Sequence, residues 1–245
     1  MLIQAAINGA RTRSEHPRIP LTPEEQAREA RDAVAAGAGA IHVHVRDASG
    51  AESLEPDDVA TTLEAIRDAC PGVPVGISTG AWIVPAVERR LALIRAWSTL
   101  PDYASVNVHE DGAADVIRLL LERGIGVEAG VWDARGAHAL ERSGLAGDCL
   151  RILLEPGEEH GGDAVRSNLE RIERALPGSG PSRLLHGAGP SAWPLVQLAA
   201  QRGYDTRIGF EDTLVLPDGT RAEGNAALVR AARRLLGIAE RERAG

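Results

Sequence analysis

No lysine occurs in this sequence; all 27 basic residues are arginine. That absence excludes every chemistry that needs a side-chain amine. Lysine-dependent aldolases, pyridoxal enzymes, P-loop nucleotidases and carbamylated-lysine metal sites are all ruled out. Cysteine is nearly absent too. Cys70 and Cys149 fit no metal or redox spacing and read as ordinary thiols in a reducing compartment. No apolar run approaches the roughly 18 residues that span a bilayer, so no membrane segment is expected. Net positive charge is missing as well. At a formal charge of -8, with arginines scattered among acids, no basic face is available for nucleic acid, and small molecules are the expected partners. The chain opens on Met-Leu-Ile-Gln without a basic lead or a long apolar region, which predicts a cytoplasmic protein.

What is present is a recurring alternation of short apolar runs and helix-like segments, the pattern of βα units around a parallel sheet. Strands are expected at 2–7, 40–45, 73–77, 103–108, 126–131, 149–154, 183–186 and 207–210. Helices are expected between them, the first opening on the capping box Thr22-Pro-Glu-Glu25 and the last running over 224–241. Eight such units in 245 residues, with no linker or change of composition, predict one (β/α)8 TIM barrel spanning 1–245. A doubly wound open sheet is the other possibility. It usually carries a glycine-rich loop after the first strand, and Asn8-Gly-Ala-Arg-Thr lacks that pattern.

In a closed barrel the reactive face lies where the strands end. Polar residues collect there: Asn8, His42, His44, Arg46, Ser78, Thr79, Ser105, Asn107, Glu128, Glu155, His186, Arg207, Glu211 and Asp212. Side chains two apart on a strand share a face, so His42 and His44 point the same way. Paired imidazoles form half of a zinc site, whose third ligand must come from another strand end. Glu211 is the choice. The alternative is a pair of core histidines held by hydrogen bonds. Barrel hydrolases also use His-x-His, but usually on strand one with a bridging lysine, and here it is on strand two without one. Asp212 is the candidate base, with Arg207 holding it ionised and oriented. Asn8, Ser78, Thr79, Ser105, Asn107 and Glu128 are the candidate substrate contacts. Arg46 and Asp47 are expected to anchor the departing loop. The stretch His186-Gly-Ala-Gly-Pro190 opens a helix whose amides could receive an anion, or is simply a packed turn.

Four stretches carry a resemblance: Pro20-Leu-Thr-Pro-Glu-Glu25, Ala38-Gly-Ala-Ile-His-Val-His-Val-Arg-Asp47, Ile77-Ser-Thr-Gly80 and Arg207-Ile-Gly-Phe-Glu-Asp212. In that order the sequence resembles the β-keto acid cleavage enzymes typified by 3-keto-5-aminohexanoate cleavage enzyme. The resemblance implies a zinc-dependent barrel, usually a homo-oligomer, with His42, His44 and Glu211 on Zn2+ and with Arg207 and Asp212 assisting carbanion formation. It also implies acetyl-CoA as cosubstrate. The carbanion of a β-keto acid attacks acetyl-CoA, and CoA then cleaves the adduct to a new acyl-CoA and acetoacetate. Ser78 and Ser105 match positions where the family places hydroxyls near substrate.

The departures from the family pattern bear on the substrate. The loop after strand four, Val108-His-Glu-Asp-Gly-Ala113, is much shorter. Arg11 stands where an acid is usual, Gly130 replaces a second strand-five glutamate, and Thr213 replaces an asparagine. Loss of acids argues against an amine-bearing substrate. A metal-dependent aldolase or hydrolase without acetyl-CoA, and a noncatalytic metal- or metabolite-binding barrel, are the competing readings.

Overall fold

A computed structural model describes residues 1–157, 162–176, 178 and 180–238. Eight strands, β1 (Ile3–Ala6), β2 (Ala40–Val43), β3 (Val75–Ser78), β4 (Tyr103–Asn107), β5 (Gly126–Val131), β6 (Arg151–Leu154), β7 (Ser182–Leu185) and β8 (Asp205–Ile208), alternate with eight helices. The helices are α1 (Pro23–Ala35), α2 (Pro56–Ala69), α3 (Val87–Ala96), α4 (Ala113–Glu122), α5 (Ala134–Ser143), α6 (Asp163–Ala175), α7 (Ala192–Arg202) and α8 (Asn225–Leu235). Each strand pairs in parallel with the next, and β8 closes the barrel on β1 with Gln4 opposite Arg207. The chain is therefore a (β/α)8 TIM barrel. Among the described residues no helix is long and apolar enough to cross a membrane.

Local chemistry explains the elements. Because helices cover the outside and side chains fill the inside, β1 to β3 and β6 are buried at every position. Thr22 caps α1 by accepting from the Glu25 amide, while Glu25 reaches back to the Thr22 amide at 3.1 Å. The inner face of α1 presents Ala27, Ala30 and Ala33, small enough for close approach to the barrel.

Several boundaries differ from those expected. β2 ends at Val43, so His44 stands on the rim beyond the ladder rather than within it, and β8 runs over Asp205–Ile208, ending two residues earlier than expected. Cys149 precedes β6, because a short 3-10 turn over Ala146–Asp148 occupies the approach. α8 stops at Leu235, where Gly237 turns the chain with a φ of 65°; positions 239–241 of the expected helix lie outside the described residues.

One network fixes the rim where β1 and β8 meet. Asn225, at the start of α8, donates to the Ile7 carbonyl at 3.0 Å and accepts from the Phe210 amide at 2.8 Å. Buried Glu29 of α1 accepts from the Asn225 amide at 3.0 Å and side chain at 2.9 Å. The loop carrying Glu211 and Asp212 is thus tied to β1, α1 and α8 together.

Candidate active site

The turn after β8 curls over the end of β1, and Gly209 makes that possible. A Cβ there would lie 2.0 Å from the Ala6 carbonyl oxygen, so only glycine lets the two backbones meet. The Glu211 amide then donates to the same carbonyl at 3.1 Å. Gly9, in the left-handed region at φ 58°, lies against the Glu211 side chain and leaves it room.

Across from this turn, His42 and His44 present their Nε2 atoms to Glu211, at 3.6 Å from Oε2 and 3.4 Å from Oε1 respectively. The rings meet edge to face, with centroids 5.3 Å apart. Asn8 sets the height of His44: it accepts from the His44 amide and donates to the His44 carbonyl, both at 2.9 Å. Glu52 lies 2.6 Å from His44 Nδ1, which keeps a proton on that nitrogen and turns Nε2 toward Glu211. Glu52 also accepts from Trp82 Nε1 at 3.0 Å, and the Trp82 ring lies nearly parallel to His44, 6.1 Å away.

The electrostatics follow from these neighbours. Burial, with Arg207, His44 and His186 nearby, lowers His42 to about 3 despite Glu211, so its imidazole is neutral. Burial also disfavours charge on His44, but Glu211 and Glu52 overcome it and raise the group to about 9. Glu211 is held well below the usual carboxylate range: burial opposes ionisation, and Arg207 with the two histidines outweighs it. Without a cation, the negative potential of two carboxylates keeps a proton on His44; the same potential favours a metal in its place.

The donor set fits such an ion. Two imidazole nitrogens and one carboxylate converge with ligand atoms all within 4.8 Å of one another. Glu211 Oε2 is buried and has no hydrogen-bond donor among the described residues. A soft-to-borderline cation with open positions suits two nitrogens and one oxygen.

Beside this trio, Arg207 grips Asp212 Oδ1 through Nε at 3.2 Å and Nη2 at 2.8 Å, and reaches Glu211 Oε1 at 2.9 Å. These carboxylates raise Arg207 above its ordinary value against the pull of burial. Asp212 is fully buried, and its second oxygen has no hydrogen-bond partner among the described residues. His186 stands between two acids, with Nδ1 3.3 Å from Asp212 and Nε2 3.7 Å from Glu155. Burial and Arg207 oppose its charge, yet Asp212 and Glu155 raise it to about 9. The glycine-rich stretch after β7 supports Asp212 directly. The Gly189 amide donates to the Asp212 carbonyl at 2.7 Å, so that amide is not free for an anion.

His42, His44, Arg207, Glu211, Asp212, Ser78, Ser105 and Asn107 all line one open cavity of about 460 Å³. Three predicted substrate contacts stand elsewhere. Asn8 spends its amide on His44 and Pro20. Thr79 donates to the Ser105 carbonyl at 2.7 Å. Glu128 lies inside the barrel, bonded to Gln4 at 2.7 Å and paired with Arg151 at 3.2 Å, because β5 sets it in an interior layer of the barrel. Arg46 anchors the loop, as expected, by donating to the carbonyls of Gly9, Arg11 and Gly50. Sequence reasoning missed Glu52, eight residues past His44 in an irregular loop without periodic signal. It also missed Trp82 and Trp132; for Trp132, its place one residue after β5 was the available clue.

Comparison with known proteins matches this chain, over residues 1–245, to a family model described as beta-keto acid cleavage enzyme. A 3-keto-5-aminohexanoate cleavage enzyme of Fusobacterium nucleatum is 31% identical over 245 aligned residues, covering 94% of this chain and 88% of the relative. A 3-oxoadipate:acetyl-CoA acetyltransferase of Cupriavidus necator is 29% identical, covering 93% of this chain and 85% of its own. Among solved structures, the 3-dehydroquinate dehydratase of Aquifex aeolicus superposes with a TM-score of 0.60 at 14% identity. It covers 97% of this chain and 98% of its own, a likeness of fold alone.

Proposed function

Because the chain belongs to the beta-keto acid cleavage enzyme family, we propose that it cleaves a β-keto acid with acetyl-CoA, giving acetoacetate and a new acyl-CoA, at a zinc site formed by His42, His44 and Glu211. The observation that carries this reading is the convergence of those three side chains beside an arginine-held carboxylate in one cavity. Relatives named for 3-keto-5-aminohexanoate cleavage and for acetyl-CoA acetyl transfer support it.

When bound, zinc supplies Lewis-acid polarisation of the ketone and carboxylate oxygens of the substrate. The remaining work falls to side chains. Asp212, held by Arg207, takes a proton from the carbon between the two carbonyls. His186, facing Asp212 on one side and Glu155 on the other, balances the charge that Asp212 exchanges. Ser78, Ser105 and Asn107 line the wall and offer hydroxyl and amide groups to substrate oxygens. Absence of lysine is consistent with a route that needs no enzyme-bound imine.

Incubation of the purified protein with a β-keto acid panel, with and without acetyl-CoA, tests the reading by mass detection of the acyl-CoA product. Strict dependence on acetyl-CoA is expected. Replacing Asp212 with Asn is expected to slow turnover by about 10²- to 10⁴-fold with metal content retained. Equal turnover without acetyl-CoA, or an active Asp212→Asn variant, overturns it.

A further inference from the structure

The chain has few aromatic side chains: four tryptophans, two tyrosines and one phenylalanine. Phe210, Tyr103 and Trp97 are buried, as is usual for such residues. Trp82 and Trp132 are different. They are 49% and 43% exposed, and among the described residues they are the only exposed aromatics. Both line the cavity that holds His42, His44 and Asp212.

Neither indole hangs loose. The polar edge of Trp82 is spent on both Glu52 oxygens, at 3.0 and 3.2 Å, which leaves the exposed part of its ring for apolar contact. Trp132 packs on His109 with ring centroids 4.5 Å apart, and its carbonyl accepts from Asn168 at 2.7 Å. Rigid aromatic walls that remain half in water are surfaces whose burial favours a ligand.

The charges at the same cavity are already matched. Arg11 pairs with Glu15 at 2.8 Å, Arg207 with Asp212 and Glu211, and Glu155 faces His186. An ionised substrate tail would have to share or displace a partner in one of these pairs. An apolar tail breaks none and covers indole.

From this we infer that Trp82 and Trp132 determine specificity, and that the acyl substituent of the β-keto acid is apolar and flat, an aryl group being the best fit. The inference rests on the proposed acetyl-CoA-dependent cleavage. The indoles belong to the β-keto acid rather than to the adenine of the cosubstrate. Trp82 lies against His44, a candidate metal ligand, whereas the nucleotide of an acyl-CoA is a full pantetheine arm from the thioester.

In the reaction the carbanion carbon bonds to the acetyl carbon of acetyl-CoA and releases CoA. CoA sulfur then bonds to the aryl-bearing carbonyl carbon as the bond between that carbon and the former carbanion carbon breaks. The products are an aroyl-CoA and acetoacetate, with no oxidant or reductant needed.

The test uses the protein as purified, with its metal content measured. The substrates are 3-oxo-3-phenylpropanoate, 3-oxopentanoate and 3-oxohexanedioate. The wild type should show a kcat/KM for the phenyl compound about tenfold or more above the other two. In Trp132→Ala and, independently, Trp132→Leu, the phenyl-to-pentanoate ratio should fall about tenfold, mainly through KM.

A parallel fluorescence titration uses 3-hydroxy-3-phenylpropanoate and 3-hydroxypentanoate, which cannot form the carbanion, and should show the same preference in Kd. Turnover without aryl preference, or an unchanged ratio in both variants, overturns the inference and leaves the cleavage reading standing. A rise in KM for acetyl-CoA alone overturns it too. Aryl-selective binding without turnover of any substrate overturns the cleavage reading and supports the pocket. Neither turnover nor selective binding overturns both.

Discussion

His44 and Glu52 show how a single side chain sets the character of a neighbour. Imidazole can offer either nitrogen as a donor, and the 2.6 Å contact of Nδ1 with Glu52 assigns the proton to that side. Nε2 is thereby turned to the centre of the site, where its lone pair would serve a bound metal. In a metal-loaded protein a carboxylate behind a histidine ligand typically accounts for 10- to 100-fold in affinity. We therefore expect Glu52→Gln to weaken zinc binding by about that factor, and Glu211→Gln to lose stoichiometric zinc altogether. Competition with a chromogenic chelator measures both. Full retention of zinc by Glu211→Gln would remove it as a ligand. Unchanged affinity in Glu52→Gln would show that His44 orients without help.

At the level of elements, the site depends on how two strand ends meet. β1 and β8 are the first and last strands, and their turns bring Gly9 against Glu211 and Gly209 against Ala6. An alanine at position 209 would push the Glu211 and Asp212 turn away from β1. The expected loss is about 1–3 kcal/mol of stability from overpacking, read as a lower urea midpoint, together with weaker zinc binding as the turn withdraws. A variant with wild-type midpoint and metal content would mean that the backbone shifts without cost. Glycine at 209 was visible in the Arg-x-Gly-x-Glu-Asp motif; the reason for it was not, because Ala6 is more than 200 residues away in sequence.

The whole barrel adds an interior layer that no local pattern displays. Below the site, Gln4, Tyr103, Glu128 and Arg151 fill the barrel with polar groups: Tyr103 donates to the Ile41 carbonyl at 2.5 Å, and the Arg151 guanidinium lies 5.6 Å from the Tyr103 ring centroid. Burial raises Glu128 against the opposing pull of Arg151 and Gln4, and it raises Tyr103 well above its ordinary value. Removing one member of such a pair leaves a buried charge. Glu128→Leu alone should cost about 3–5 kcal/mol, whereas Glu128→Leu combined with Arg151→Met should be close to neutral. Equilibrium urea unfolding separates the two; equal losses would show that packing, not charge, dominates the layer.

Glu128 also marks the limit of reading from sequence. Its place near a strand end suggested a substrate contact, but along a tilted strand two or three residues separate the cavity floor from the closed interior, and the register of the neighbours decides the depth. The alternation of apolar runs and capped helices, by contrast, determined the eight βα units locally, since each depends only on periodicity and end signals. That His42, His44, Glu211, Asp212 and Arg207 share one rim was equally legible, because a spacing of two on a strand and a compact motif after another strand carry their geometry with them. Only the tertiary structure decided that Glu52 backs His44, that Asn8 and Thr79 brace the backbone instead of lining the cavity, and that Trp82 and Trp132 form its walls. Those assignments depend on which loops barrel closure brings side by side, and closure is a property of all eight strands at once.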